Sequence, residues 1–138
     1  MFNASYIDAE VEDLQVADGV FVDTTPPYTP EFKTSGLVRY NWNIDSGNLA
    51  VVLAGSYQSE TFHNARNFTA HEQGSYFIAN ANITWRDHED HWSVMAFVDN
   101  LTDSDHEIIG FDVSGFYGNS QVAYEKPRTF GVTIKRKF

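Results

Sequence analysis

Apolar and polar residues alternate with a period of two over five stretches of the chain, the pattern of strands with one apolar and one wetted face. In 32–44 one face carries Phe32, Val38, Tyr40, Trp42 and Ile44, and the other carries Lys33, Ser35, Arg39, Asn41 and Asn43. In 49–58, Leu49, Val51, Leu53, Gly55 and Tyr57 oppose Ala50, Val52, Ala54, Ser56 and Gln58. In 77–85, Phe77, Ala79, Ala81, Ile83 and Trp85 oppose Ile78, Asn80, Asn82 and Thr84. The division is weakest in 92–98, where Trp92, Val94, Ala96 and Val98 oppose Ser93, Met95, Phe97 and Asp99. At the C-terminus Phe130, Val132, Ile134 and Phe138 share a face, opposite Thr129, Gly131, Thr133, Lys135 and Lys137. A sixth, weaker strand is expected over Ala4–Val11. The sequence predicts no helix and no internal repeat, so the fold class is all-β: an antiparallel up-and-down meander of about six strands.

The connections alternate in length. Asp45-Ser-Gly-Asn48 is a tight hairpin turn with glycine where positive φ is tolerated. Asp87-His-Glu-Asp-His91 is a second short polar turn. The other links, roughly 12–31, 60–75 and 102–126, are long and rich in Gly, Pro, Asn and Asp. Short turns at one end and long loops at the other are the habit of bacterial outer-membrane barrels, whose periplasmic turns are short and extracellular loops long.

The aromatic residues agree with that reading. Trp42, Trp85, Trp92 and Phe138 fall at the short-turn end on the apolar faces, the arrangement of an interfacial aromatic belt. Phe32, Tyr57, Phe77 and Phe130 stand near the long-loop end of the same faces. From Phe32 to Trp42 is ten residue steps, about 33 Å of strand. A tilt of about 40° reduces this to about 25 Å, the apolar height of such a barrel. The opposite face is rich in Asn, Ser, Thr, Gln and Lys, as a wet or plugged lumen requires. A soluble β-rich domain would instead bury its tryptophans without clustering them at one end.

Composition narrows the function. Of 138 residues 42% are hydrophobic, too many for a disordered chain, yet the mean hydropathy is −0.37. No apolar run approaches the ~18 residues of a membrane-spanning helix. The formal charge is −10, which disfavours a general nucleic-acid binder. Cysteine is absent, which excludes disulfides, thiolate metal sites and thiol nucleophiles. The opening Met1-Phe-Asn-Ala-Ser-Tyr-Ile-Asp has neither the basic nor the apolar region of a signal peptide.

Two closing motifs then carry a family resemblance. Trp92-Ser-Val-Met-Ala-Phe-Val-Asp-Asn-Leu-Thr-Asp103 resembles the penultimate strand of TonB-dependent outer-membrane receptors, with its Asn-Leu-Thr-Asp ending. Pro127-Arg-Thr-Phe-Gly-Val-Thr-Ile-Lys-Arg-Lys-Phe138 resembles their final strand, and Tyr76–Trp85 the strand two before the end. One departure is Ser104-Asp-His106, where family members often carry an aromatic residue. The resemblance implies the C-terminal part of a transmembrane barrel, residues 1–138, with the plug domain, the TonB box and the remaining strands lying outside it. It implies energy-coupled uptake of a scarce ligand of the ferric siderophore, haem, vitamin B12 or oligosaccharide class. It also implies that Phe130, Val132, Ile134 and Phe138 form the signal read by the barrel assembly machinery. Outer-membrane lipid and lipopolysaccharide are the expected surroundings, and TonB is reached only through the plug.

No enzyme chemistry, metal site or cofactor is expected. His88 and His91 flank a turn, and His63, His71 and His106 read as solvated loop residues. Nothing in the sequence makes them converge with a supporting shell. The acidic stretch Asp8, Glu10, Glu12, Asp13, Asp18 and Asp23 and the later Asp103, Asp105, Glu107 and Asp112 likewise read as solvated loops, able to bias which ligands approach. Asn-X-Ser/Thr occurs at Asn3, Asn67, Asn82 and Asn100, without meaning as a glycosylation acceptor in a bacterial outer membrane. The last long loop has an aromatic, glycine-rich tip in which Phe111, Phe116 and Tyr117 are candidate ligand contacts. Two other classes remain open: an outer-membrane channel assembled from several chains, and a soluble β-rich binding module.

Overall fold

A computed structural model describes residues 1–113 and 118–138. Its main element is one antiparallel sheet of six strands: β1 (Phe2–Tyr6), β4 (Phe32–Ile44), β5 (Gly47–Gln58), β8 (Tyr76–Arg86), β9 (Trp92–Asp99) and β12 (Thr129–Arg136), neighbours in that order. The sheet is open, with β1 and β12 as its edges. Each long link carries a small ribbon of its own: β2 (Val11–Ala17) with β3 (Val20–Thr24), β6 (Thr61–Phe62) with β7 (Glu72–Gln73), and β10 (Glu107–Asp112) with β11 (Ser120–Tyr124). A single 3₁₀ turn, Thr69–His71, lies between β6 and β7.

The five alternating stretches are strands with nearly the expected bounds. The first differs from expectation: it is Phe2–Tyr6 rather than Ala4–Val11. Phe2, Ala4 and Tyr6 extend the apolar face, but the next residues of that parity are Asp8 and Glu10, so the chain leaves the sheet after the Ile7 N–H bonds the Glu31 carbonyl (2.8 Å). Val11 then opens β2. The loops are also more ordered than their composition suggests, because pairing two loop segments satisfies backbone groups that would otherwise need water. The Asp18-Gly19 pair, with Gly19 at φ 70°, turns β2 into β3 and is a hairpin signal of the usual kind.

Register gathers the apolar faces on one side. Trp42 pairs with Leu49, Leu49 with Trp85, Trp85 with Val94 and Val94 with Ile134. Val38, Leu53, Ala81, Val98 and Phe130 form a parallel row higher up. Large side chains on this outer face are open: Val38 is 68% exposed and Phe130 77%. Among the described residues Ala50 is the one buried hydrophobic side chain. Among the described residues there is therefore no apolar interior, and the apolar surface of the sheet is turned outward.

The short turns are tied to one another. Gly47 has φ 143°, and a Cβ there would overlap the Arg86 carbonyl, so the tight turn requires glycine. His88 Nε2 donates to the Asp45 carbonyl at 3.0 Å, joining the two turns. The Lys137 N–H donates to the His91 carbonyl (2.8 Å), and the Lys137 ammonium bonds the Asp90 carboxylate. That hydrogen bond, then the ammonium charge, holds the Asp90 carboxyl below its usual range. A depressed carboxyl stabilises the fold above its unfolded pKa and loses that contribution as pH falls through the folded value. Acid titration of the refolded chain should therefore release the C-terminal residues of β12 below about pH 4. Asp90→Asn should abolish this local transition, read by hydrogen exchange of the Lys137 amide.

Candidate functional site: the long-loop end

At the long-loop end three histidines tie the ribbons together. They are not solvated, contrary to the sequence-based expectation: His63 is 7% exposed, His71 3% and His106 3%. His63 follows β6 and stacks on Tyr28, with ring centroids 5.1 Å apart and planes 18° from parallel. Tyr28 is held there at φ 56° by its N–H, which donates to the Phe62 carbonyl at 2.9 Å. Its hydroxyl donates to the Gly110 carbonyl (3.3 Å) and lies 3.4 Å from the Gly110 N–H, which donates to it. Gly110 is a close approach, because a Cβ would overlap the His63 ring.

Glu107 completes this junction. Its carboxylate is 3.5 Å from His63 Nδ1, and its backbone N–H donates to the Gln73 side-chain carbonyl at 2.5 Å. It also faces the Tyr124 hydroxyl at 3.4 Å, and its negative charge pushes that phenol above its ordinary pKa. His71 Nε2 lies 3.3 Å from Ser120 Oγ, linking the 3₁₀ turn to β11. His106 stacks on Tyr76 at the start of β8, with centroids 4.0 Å apart. Asn67, at φ 50°, accepts from the Thr25 N–H (2.6 Å) and donates to its carbonyl (2.9 Å). Loop residues thus hydrogen-bond across 42 and 82 positions of sequence. The sequence carried little sign of this, since His, Tyr and Asn in polar loops are also common where loops are wet.

The two closing motifs meet in space. Asn100 is 4% exposed at φ 52°; its N–H donates to Asn80 Oδ1 (2.8 Å), and its amide bonds the Ser104 N–H (2.9 Å) and carbonyl (3.0 Å). Asp103 then pairs with Arg128 at 2.7 Å, so the ending of one motif holds the Pro127-Arg128 opening of the other. The Leu101 N–H donates to the Ala79 carbonyl (2.7 Å), carrying the pairing with β8 past the end of β9. The exposed ion pair contributes at most about 1 kcal/mol. Its larger effect is to fix where the last long loop leaves and rejoins the sheet.

The other expected site residues are placed as follows. Phe111 lies on β10 and is 55% exposed. Phe116 and Tyr117 lie outside the described residues. Trp42 and Trp85 share one cross-strand row, and Trp92 stands one row nearer the turns, opposite Arg136. Phe130, Val132 and Ile134 line the outer face of β12, while Phe138 stands beyond its end. Among the described residues no three His, Asp or Glu side chains converge on a metal position.

The profile of the family described as "TonB dependent receptor-like, beta-barrel" matches residues 1–101. The chain belongs to that family. It is accordingly an outer-membrane barrel protein of bacteria, from a family of receptors rather than enzymes. Among solved structures it is similar to the ferric yersiniabactin uptake receptor FyuA from Yersinia pestis, with a TM-score of 0.71 and 20% identity over 81% of this chain. The match spans 17% of that receptor's length. No curated protein matches the sequence.

The loop cluster predicts its own test. Glu107→Gln removes the charge facing His63 and Tyr124, and Gly110→Ala forces a methyl group against the His63 ring. Both variants should raise protease cleavage within 60–75 and 102–126, while the six-stranded sheet keeps its protection. The Tyr124 phenol should ionise at lower pH in Glu107→Gln, read by ultraviolet difference absorbance.

Proposed function

We propose that residues 1–138 are the C-terminal barrel segment of a TonB-dependent receptor that imports a scarce ligand. The observation that carries this reading is the sheet's apolar outer face, charged among the described residues only at Arg136 at its short-turn end and left open while the opposite face is polar. Hydrocarbon satisfies such a face by removing its apolar surface from water. Only a closed barrel satisfies the edges of β1 and β12, since each unpaired backbone group costs several kcal/mol in lipid. The remaining strands and a plug domain belong to the same receptor and supply the contact with TonB.

In this reading Trp42, Trp85, Trp92 and Phe138 form the periplasmic aromatic belt. Phe130, Val132, Ile134 and Phe138 present the terminal strand to the barrel assembly machinery, which such a strand can join by backbone pairing. The outer leaflet places lipopolysaccharide beside the long loops. The histidine-tied ribbons form part of the extracellular mouth, where Phe111, exposed on β10, is a surface on which a ligand can stack, and Phe116 and Tyr117, outside the described residues, are further candidates by sequence. The ligand is of the ferric siderophore, haem, vitamin B12 or oligosaccharide class. Ferric siderophores come first for testing, since the similar solved receptor takes up ferric yersiniabactin.

Two outcomes test the reading. The reading frame upstream of the Met1 codon should encode a plug domain and the earlier strands; an independent start there, with no upstream barrel, would favour a channel of several chains. In bilayers, Leu53→Arg on the outer face should destabilise the folded barrel by about 2–4 kcal/mol in urea titrations. Asn41→Arg on the polar face should change it little; equal effects would sink the assignment of faces.

A further inference from the structure

Arg136 breaks the rule of the outer face. Among the described residues of the six-stranded sheet it is the one charged side chain on that side, placed there by its pairing with Trp92. Its guanidinium carbon lies 4.9 Å from the centre of the Trp92 ring and 4.9 Å from that of Phe138. Among the described residues no carboxylate stands within 4.0 Å of it. The carboxylates of the neighbouring turn are engaged elsewhere: Asp90 by Lys137, and Glu89 by His91 Nδ1 at 3.0 Å. A cavity of about 730 Å³ opens at this rim, lined by Arg86, Lys135, Arg136 and Lys137, with Asp90 as its one carboxylate. Arg86, Ser93 and Lys135 form one cross-strand row of it on the polar side, while Ile134 and Arg136 stand on the outer side of the same strand end.

We infer that this rim binds the phosphate of an anionic phospholipid headgroup in the leaflet next to the short turns. The inference rests on the proposed membrane placement of the sheet. The cations gather where the apolar face ends, so a lipid can lay its chains against Ile134 and Val132 while its phosphate meets Arg136. The planar guanidinium offers paired N–H groups to phosphate oxygens. The two rings hold it by their negative faces without neutralising it. Lys135 and Arg86 add positive charge from the other side of the strand ends, against an overall chain charge of −10. That charge balance makes the concentration of cations at one rim a local feature rather than a general one.

The test uses the whole receptor barrel that contains these strands, refolded in phosphatidylcholine vesicles with its tryptophans other than Trp42, Trp85 and Trp92 replaced by phenylalanine, so that their emission reports the short-turn end. Brominated phosphatidylglycerol and brominated phosphatidylcholine are compared at one low mole fraction. The anionic lipid should be favoured at the rim by about fivefold, as expected for one engaged cation. High salt should erase the preference, and Arg136→Gln with Lys135→Gln should bring it to about parity. Equal quenching by the two lipids, or a preference that survives the double variant and salt, overturns the inference while leaving the membrane placement standing. Emission unshifted in every vesicle overturns the placement, and the inference with it.

Discussion

Everything in this molecule depends on the register of five antiparallel ladders. A strand alternates sides at every residue, so a one-residue slip in a single ladder would carry a whole row of Phe, Val, Leu and Trp to the polar side. The observed pairing brings Trp42, Leu49, Trp85, Val94 and Ile134 into one row and Val38, Leu53, Ala81, Val98 and Phe130 into another. With Ala50 the one buried hydrophobic residue among those described, these rows are not packed against a second layer. Stability has to come from backbone pairing and from the apolar medium around the outer face. Close pairs within the sheet assist: Phe97 lies over Gly131, where a Cβ would come within 2.8 Å of its ring, filling space that the glycine leaves.

The two ends of the sheet solve different problems. At the short-turn end the chain must reverse in few residues beside a neighbouring strand, so glycine is required at Gly47, and His88 and Lys137 stitch the turns together. At the long-loop end the chain has residues to spare, and their backbone groups are satisfied by three small ribbons. The ribbons are then joined by side chains: Tyr28 to His63 and Gly110, Glu107 to Gln73, His71 to Ser120, and His106 to Tyr76. A loop end built in this way is shaped by many weak polar contacts between segments distant in the chain.

Charge is divided along the same lines. The polar face of the strands carries Lys33, Arg39, Arg86 and Lys135 against Asp99, whereas the loops hold most of the nineteen acidic residues. Asp99 is itself engaged by Lys126 at 3.6 Å. The wall of the interior is therefore basic under an acidic rim, and Arg136 extends the basic character around the strand end to the apolar side.

The sequence by itself determined the strands, their faces, the short turns and the family. Each is a local property: a period of two in residues 32–44 or 49–58, a glycine at a tight reversal, or a motif such as Asn100-Leu-Thr-Asp103. It misjudged the first strand because Val11 is apolar. It missed the ribbons because their apolar residues are sparse, although Asp18-Gly19 announced one of them. Only the tertiary structure decided that His63, His71 and His106 are buried, that Asp103 holds Arg128, and that Arg136 stands between Trp92 and Phe138. Those facts join residues distant in the chain, and a polar side chain looks the same in a sequence whether water or another loop completes its hydrogen bonds.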